Sequence, residues 1–141
     1  MIVCIDTNTV IQGLAEHHSF HPILDSWVAG NFAWAVSTDV LMEYEEVLTR
    51  LSGPGQWRRL ARLLDLAELT TGNLIRVTPF FRFQVVTADP DDNIFTDCAI
   101  TAGADYVITE DRHFAPLRGS GYKPQPITPH EFISNFIIRS S

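Results

Sequence analysis

Short apolar runs alternate with longer apolar periodicities from one end of this chain to the other. Ile2–Ile5 is an apolar run cut off sharply at Asp6, which reads as a buried strand. A helix is predicted from Thr9 to about Ala15, then a loop over HHSFHP. Pro22 opens a helix through Ile23, Leu24, Trp27 and Val28, with Gly30 at its end. Phe32–Val36 reads as a second strand. Ser37 or Thr38 then caps a helix whose Val40, Leu41, Tyr44, Val47, Leu48 and Leu51 keep a 3.6-residue period. The SGPG stretch at 52–55 breaks that helix, and Trp57 to about Leu69 forms another, with Arg58, Arg59 and Arg62 off its apolar stripe. Leu74–Thr78 and Gln84–Thr87 are candidate strands. Asn93 to Ala102 is a helix with Ile94, Phe95, Cys98, Ala99 and Ala102 inward, and Gly103 stands where a left-handed C-terminal residue belongs. Tyr106–Thr109 is a strand, GSGYKP a loop and Pro126–Ile127 a last short strand. Thr128, Pro129 and Glu131 form a capping box with a proline in the first turn.

Strands alternating with helices mean an α/β fold on a mainly parallel sheet. No repeat, linker or low-complexity stretch divides the chain, so one domain over residues 1–141 is expected. A hydrophobic content of 45% supports a real core at this length. No apolar run approaches the roughly 18 residues of a membrane span. MIVCIDTN lacks the basic and apolar regions of a secretory leader, so a cytoplasmic location is expected. Cys4 and Cys98 lie in apolar surroundings and read as reduced core thiols. The net charge of −7 argues against holding nucleic acid by bulk positive potential. It does not exclude a metal-dependent nuclease, whose site is acidic until metal binds.

The acids carry the chemistry. Asp89, Asp91, Asp92 and Asp97 crowd one short segment with no Lys or Arg among them. At about 5 Å and an effective dielectric near 20, each ionised pair costs roughly 3 kcal/mol. Acids at a helix start complement its dipole and satisfy free N–H groups, which is one explanation. A bound divalent cation is the other. Open α/β sheets place sites outside the carboxyl ends of their strands. Asp6 follows the first strand, Asp111 follows Tyr106–Thr109, and Asp89, Asp91 and Asp92 follow the Val85–Val86 region and start a helix. With parallel strands, all three positions reach one sheet edge. Glu43 falls about 40° around its helix from Val47, at the border of the apolar stripe. It either snorkels to water or leans over the same edge.

Singly, each acid has a plainer reading. Asp6 suits a turn, Asp111 a helix cap, and Asp91 or Asp92 the N-cap of its helix. Asp97 lies roughly 140° from Asp92 and reads as solvated or as supporting the others. Together, carboxylates without a Cys/His ligand set describe a site for Mg²⁺ or Mn²⁺. Asn8 and Thr109 are placed to orient such ligands by hydrogen bonds. The five histidines make no ligand pair, and no Walker A, GxSxG, GxGxxG or HExxH motif occurs.

The segments IDTNTVIQGL at 5–14, STDVLMEYEEVL at 37–48 and DPDDNIFTDCAITAGADYVITEDRHF at 89–114, with the closing ITPHEFI, resemble the PIN domain, a nuclease fold found in the toxin halves of prokaryotic toxin–antitoxin pairs. The resemblance implies a Rossmann-like three-layer α/β/α sandwich and a Mg²⁺/Mn²⁺-dependent ribonuclease. It matches Asp6, Glu43, Asp92 and Asp111 to the family's motif acids and Thr109 to the polar residue before the last, with Asp91 and Asp97 as further contributors. It further implies an RNA substrate cut to 5′-phosphate and 3′-hydroxyl ends, a small antitoxin partner and a homodimer. Arg58, Arg59 and Arg62 are candidate phosphate contacts or simply a solvated face. The competing reading is a non-catalytic PIN-like binding or scaffold module. A phospho-acceptor receiver domain is disfavoured, because the only lysine, Lys123, lies in a Gly/Pro loop.

Overall fold

A computed structural model of the chain describes residues 1–80, 93–118 and 123–137. Its sheet is parallel throughout, in the order β3-β2-β1-β4-β5, with β1 at Ile2–Ile5, β2 at Ala33–Val36, β3 at Leu74–Arg76, β4 at Tyr106–Ile108 and β5 at Gln125–Ile127. The expected α/β class and parallel sheet are therefore observed. The expected strand at Gln84–Thr87 lies outside the described residues.

The helices are α1 (Thr7–Leu14), α2 (His21–Val28), α3 (Thr38–Ser52), α4 (Pro54–Thr70), α5 (Asn93–Ala102) and α6 (Pro129–Phe132), the last continuing as a wider coil over Ile133–Ile137. α1 begins two residues before its predicted start. Asp6 ends β1 and immediately caps α1, its side chain accepting from the Thr9 N–H, so no loop intervenes. Ser37 caps α3 by accepting from the Val40 N–H. Gly53, at φ 82°, makes the break between α3 and α4 that the SGPG stretch predicted, and Gly103, at φ 66°, ends α5. Thr128 accepts from the Glu131 N–H and donates to its carboxylate.

The core is built on β1 and β2, whose Val3, Cys4, Trp34, Ala35 and Val36 are wholly buried. Cys4 and Cys98 are buried free thiols. Contact with Cys98, together with burial, holds the Cys4 thiol well above its ordinary pKa, which makes it a poor nucleophile. Tyr44 of α3 is buried and donates its hydroxyl to the carbonyl of Ile5, the last residue of β1. The Trp34 indole N–H points at the same hydroxyl from 3.4 Å. Among the described residues no helix is long and apolar enough to cross a membrane.

At the amino edge of the sheet, Asp105 holds β1 to β4. Its carboxylate accepts from the Ile2 N–H at 3.0 Å and faces Lys123 at 3.4 Å. The Ile2 N–H, helped by Lys123, keeps the Asp105 carboxyl below its ordinary value. A lowered carboxyl pKa adds stability above the ordinary carboxylate range, and that stability is lost as pH falls through the folded value. Asp105→Ala is expected to destabilise the fold at neutral pH by about 1 kcal/mol. Thermal melts of both proteins across pH check this, and the gap should close below about pH 4.

Candidate active site

The register of two neighbouring strands assembles the site. Ile5 of β1 pairs with Ile108 of β4, and the Asp6 N–H continues the ladder to the Ile108 carbonyl. Asp6 and Thr109 are therefore side by side where the two strands end. The Thr109 hydroxyl donates to Asp6 Oδ2 and accepts from the Asp111 N–H at 2.9 Å. The other Asp6 oxygen, Oδ1, accepts from the Thr9 N–H at 2.9 Å. Each carboxylate oxygen is thus held by one donor and keeps lone-pair capacity for another partner.

Asp6 is only 6% exposed and forms no ion pair among the described residues. Burial pushes its carboxyl above the ordinary value. The hydrogen bonds from Thr109 and Thr9 pull it partly back, and the charge of Asp111 raises it further. A cation beside the pair would remove both the desolvation cost and the repulsion.

Asp6 and Asp111 open onto a cleft of about 350 Å³ that Asn8, Gln12, Leu51 and Glu110 also line. Asn8 is exposed and makes no side-chain hydrogen bond among the described residues, whereas Thr109 braces Asp6. Gln12 was not singled out from the sequence. Its Oε1 is buried without a hydrogen-bond partner among the described residues. The signal for it was available, because Asn8 and Gln12 stand four apart on the helix that Asp6 caps.

Glu43 does not line this cleft. It is half-buried at the border of the α3 apolar face, as its position on the wheel predicted, while Glu45 and Glu46 are exposed. It lines a wider depression of about 840 Å³ with Asp39, Arg50 and Ile94, the last at the start of α5. Asp89, Asp91 and Asp92, which immediately precede α5, lie outside the described residues. Asp97 is 7% exposed, so its solvated reading is corrected. The wheel assumed one covered face, whereas α5 packs on β1, β2 and β4 and also against α3.

Arg58, Arg59 and Arg62 are exposed on α4, away from the acids in sequence but on one helix face. Arg59 is not merely solvated. It donates to the Leu14 carbonyl at 3.3 Å, tying α4 to the end of α1.

Among the described residues no three His, Cys, Asp or Glu side chains converge as a ready metal cage. The donor chemistry nevertheless fits a hard cation. Asp6 and Asp111 offer oxygen only, and the buried Asp6 carboxylate has no counter-charge among the described residues.

A sequence profile of the PIN domain matches residues 2–113. A search of curated proteins found no match. Two solved structures share the fold. VapBC2 from Rickettsia felis, solved bound to a DNA fragment from its promoter, superposes with a TM-score of 0.58 at 16% identity, over 91% of this chain and 98% of that one. FitAcB from Neisseria gonorrhoeae does so with a TM-score of 0.55 at 16% identity, over 92% and 99%. The profile match spans most of the chain, from the first strand past Asp111, and the chain therefore belongs to the PIN-domain family.

Proposed function

We propose that this protein is a divalent-metal-dependent endoribonuclease, the toxin of a toxin–antitoxin pair working in the cytoplasm. The observation that carries the reading is the buried Asp6 carboxylate, fixed by Thr9 and Thr109 next to Asp111, with no cation paired to it among the described residues. Family membership and the likeness to VapBC2 and FitAcB support a nuclease fold and a small antitoxin as partner. A homodimer is part of the same reading.

Asp6 and Asp111 would hold Mg²⁺ or Mn²⁺, with Asp92 or Asp91, which precede α5 in the sequence, and Glu43 of α3 as the remaining acids. When bound, such an ion supplies activation of the attacking water and neutralisation of charge at the phosphoryl group. The chain's own part is positional. Thr109 fixes the Asp6 rotamer through Oδ2, Thr9 fixes Oδ1, and the Asp111 backbone is anchored on the Thr109 hydroxyl. Holding these groups before substrate arrives removes reorganisation from the reaction.

Two variants test this. Asp6→Asn keeps an N-cap side chain but removes the charge. With Mn²⁺ or Mg²⁺, cutting of a mixed RNA substrate by wild type should vanish in EDTA and fall at least a hundredfold in Asp6→Asn, a loss typical for an essential electrostatic group. Equal cutting by both proteins would refute the reading. Metal binding without cutting by wild type would point to a narrow RNA specificity, and no metal binding to the scaffold module. Without metal, Asp6→Asn should melt above wild type at neutral pH. A raised carboxyl pKa adds stability below the ordinary carboxylate range and loses it as pH rises through the folded value, so at neutral pH the wild-type charge is a net cost. Thr109→Val, nearly the same shape, should keep the fold and lower cutting by about tenfold or more. Its melting curve separates that loss from unfolding.

A further inference from the structure

The acid cleft does not end at the acids. Ile11 lines both that cleft and a second groove, of about 340 Å³, bounded by Leu14, Glu16, His17 and Gln56. Arg59 lines this second groove and also a third, of about 500 Å³, formed by Arg58, Arg62, Leu63 and Leu66. The first two depressions follow the side of α1 and its C-cap made by Asn8, Ile11, Gln12 and Ala15, and the third lies on α4 and shares Arg59 with the second. At 1.5 Å per residue that wall is about 10 Å long. The path therefore runs from the carboxylates at one end of α1 to Arg59 at its other end, and Arg59 joins it to the groove of Arg58 and Arg62.

The arginines are not equivalent. Arg59 is committed to the Leu14 carbonyl and fixes α4 against α1. Arg58 and Arg62 stand four apart on the same face, are exposed, and make no ion pair or hydrogen bond among the described residues. Their neighbour Asp65 is turned to Arg76. Among the described residues both guanidinium groups are without an acidic partner, in a chain of net charge −7. Their planar forks suit phosphate, and the adjoining Leu63 and Leu66 offer apolar surface to unstacked bases.

We infer that a single RNA strand leaves the acid cleft along α1 and is gripped by Arg58 and Arg62, with Arg59 holding that grip at a fixed distance from Asp6. This rests on the ribonuclease reading and adds where the substrate lies. Arg58 and Arg62 are positioning residues, because they touch phosphates remote from the bond that breaks.

The test is the Arg58→Ala/Arg62→Ala double variant, with Arg76→Ala as a control that removes a cation already paired to Glu68. Steady-state cleavage of a single-stranded dodecanucleotide is followed over a salt series, alongside fluorescence anisotropy of the same RNA. The double variant should raise KM several-fold with kcat nearly unchanged. The slope of log affinity against log salt should fall by about 1.4, the value for two phosphates on a single strand. The control should move neither. Unchanged KM and slope in the double variant overturn the inference while leaving the nuclease reading intact. If wild type cuts nothing yet binds the RNA, and the double variant binds it more weakly, the track stands, and metal binding by wild type then decides between a nuclease of narrow specificity and the scaffold module. If wild type does not bind RNA, the inference is overturned. If RNA handling is untouched but inhibition by a co-expressed antitoxin weakens, the face docks protein and the inference is likewise overturned.

Discussion

Everything at the site depends on the parallel pairing of β1 with β4. Asp6 and Thr109 are separated by most of the chain, and only the Ile5–Ile108 register places them side by side. A one-residue slip would turn the Thr109 side chain to the other face of the sheet and leave the buried Asp6 Oδ2 without its donor. The core enforces that register. Val3, Cys4, Val107 and Ile108 are wholly buried, so a slip would carry apolar and polar positions to the wrong faces together. Tyr44 adds a lock at the same end of β1 by donating to the Ile5 carbonyl. The neighbouring residue on α3 is Glu43, so the contact that secures the strand end also fixes the helix carrying another motif acid.

Much of this was legible in the sequence because the signals were local. The abrupt stop at Asp6, the serine cap before α3, the glycine after α5 and the Thr128–Glu131 cap each need only a few adjacent residues, and each appears in the structure. Alternation of apolar runs with helical periods gave the parallel sheet, and the parallel sheet placed Asp6 and Asp111 on one edge. What could not be read were properties created by long-range packing. Asp97 read as solvated or as supporting the other acids, and the packing of α5 on the sheet and against α3 leaves only the second of these. Arg59 looked like a free surface cation, but α4 happens to meet the open carbonyl of Leu14. Of the two side chains named as braces, Thr109 donates to Asp6, and Asn8 makes no side-chain hydrogen bond among the described residues. The start of α1 was misplaced for a different reason. Asp6 serves as strand end, helix cap and site carboxylate at once, so the loop that usually separates those functions is missing.

The two edges of the sheet put the same side chain to opposite uses. At the amino edge, Asp105 is partly open to water, accepts the Ile2 N–H and faces Lys123, so its charge is favoured. At the carboxyl edge, Asp6 is buried, its donors only partly compensate, and Asp111 stands nearby, so its charge is disfavoured. Neither hydrogen-bond count nor residue type explains the difference, because both carboxylates accept a backbone N–H. The difference lies in burial and in the sign of the neighbouring charge. At Asp105 the Ile2 N–H, helped by Lys123, favours the charged form. At Asp6 no cation is paired among the described residues. Were the proposed ion to bind at Asp6, it would offset the burial and the Asp111 charge that raise that carboxyl, and ion affinity would be coupled to fold stability.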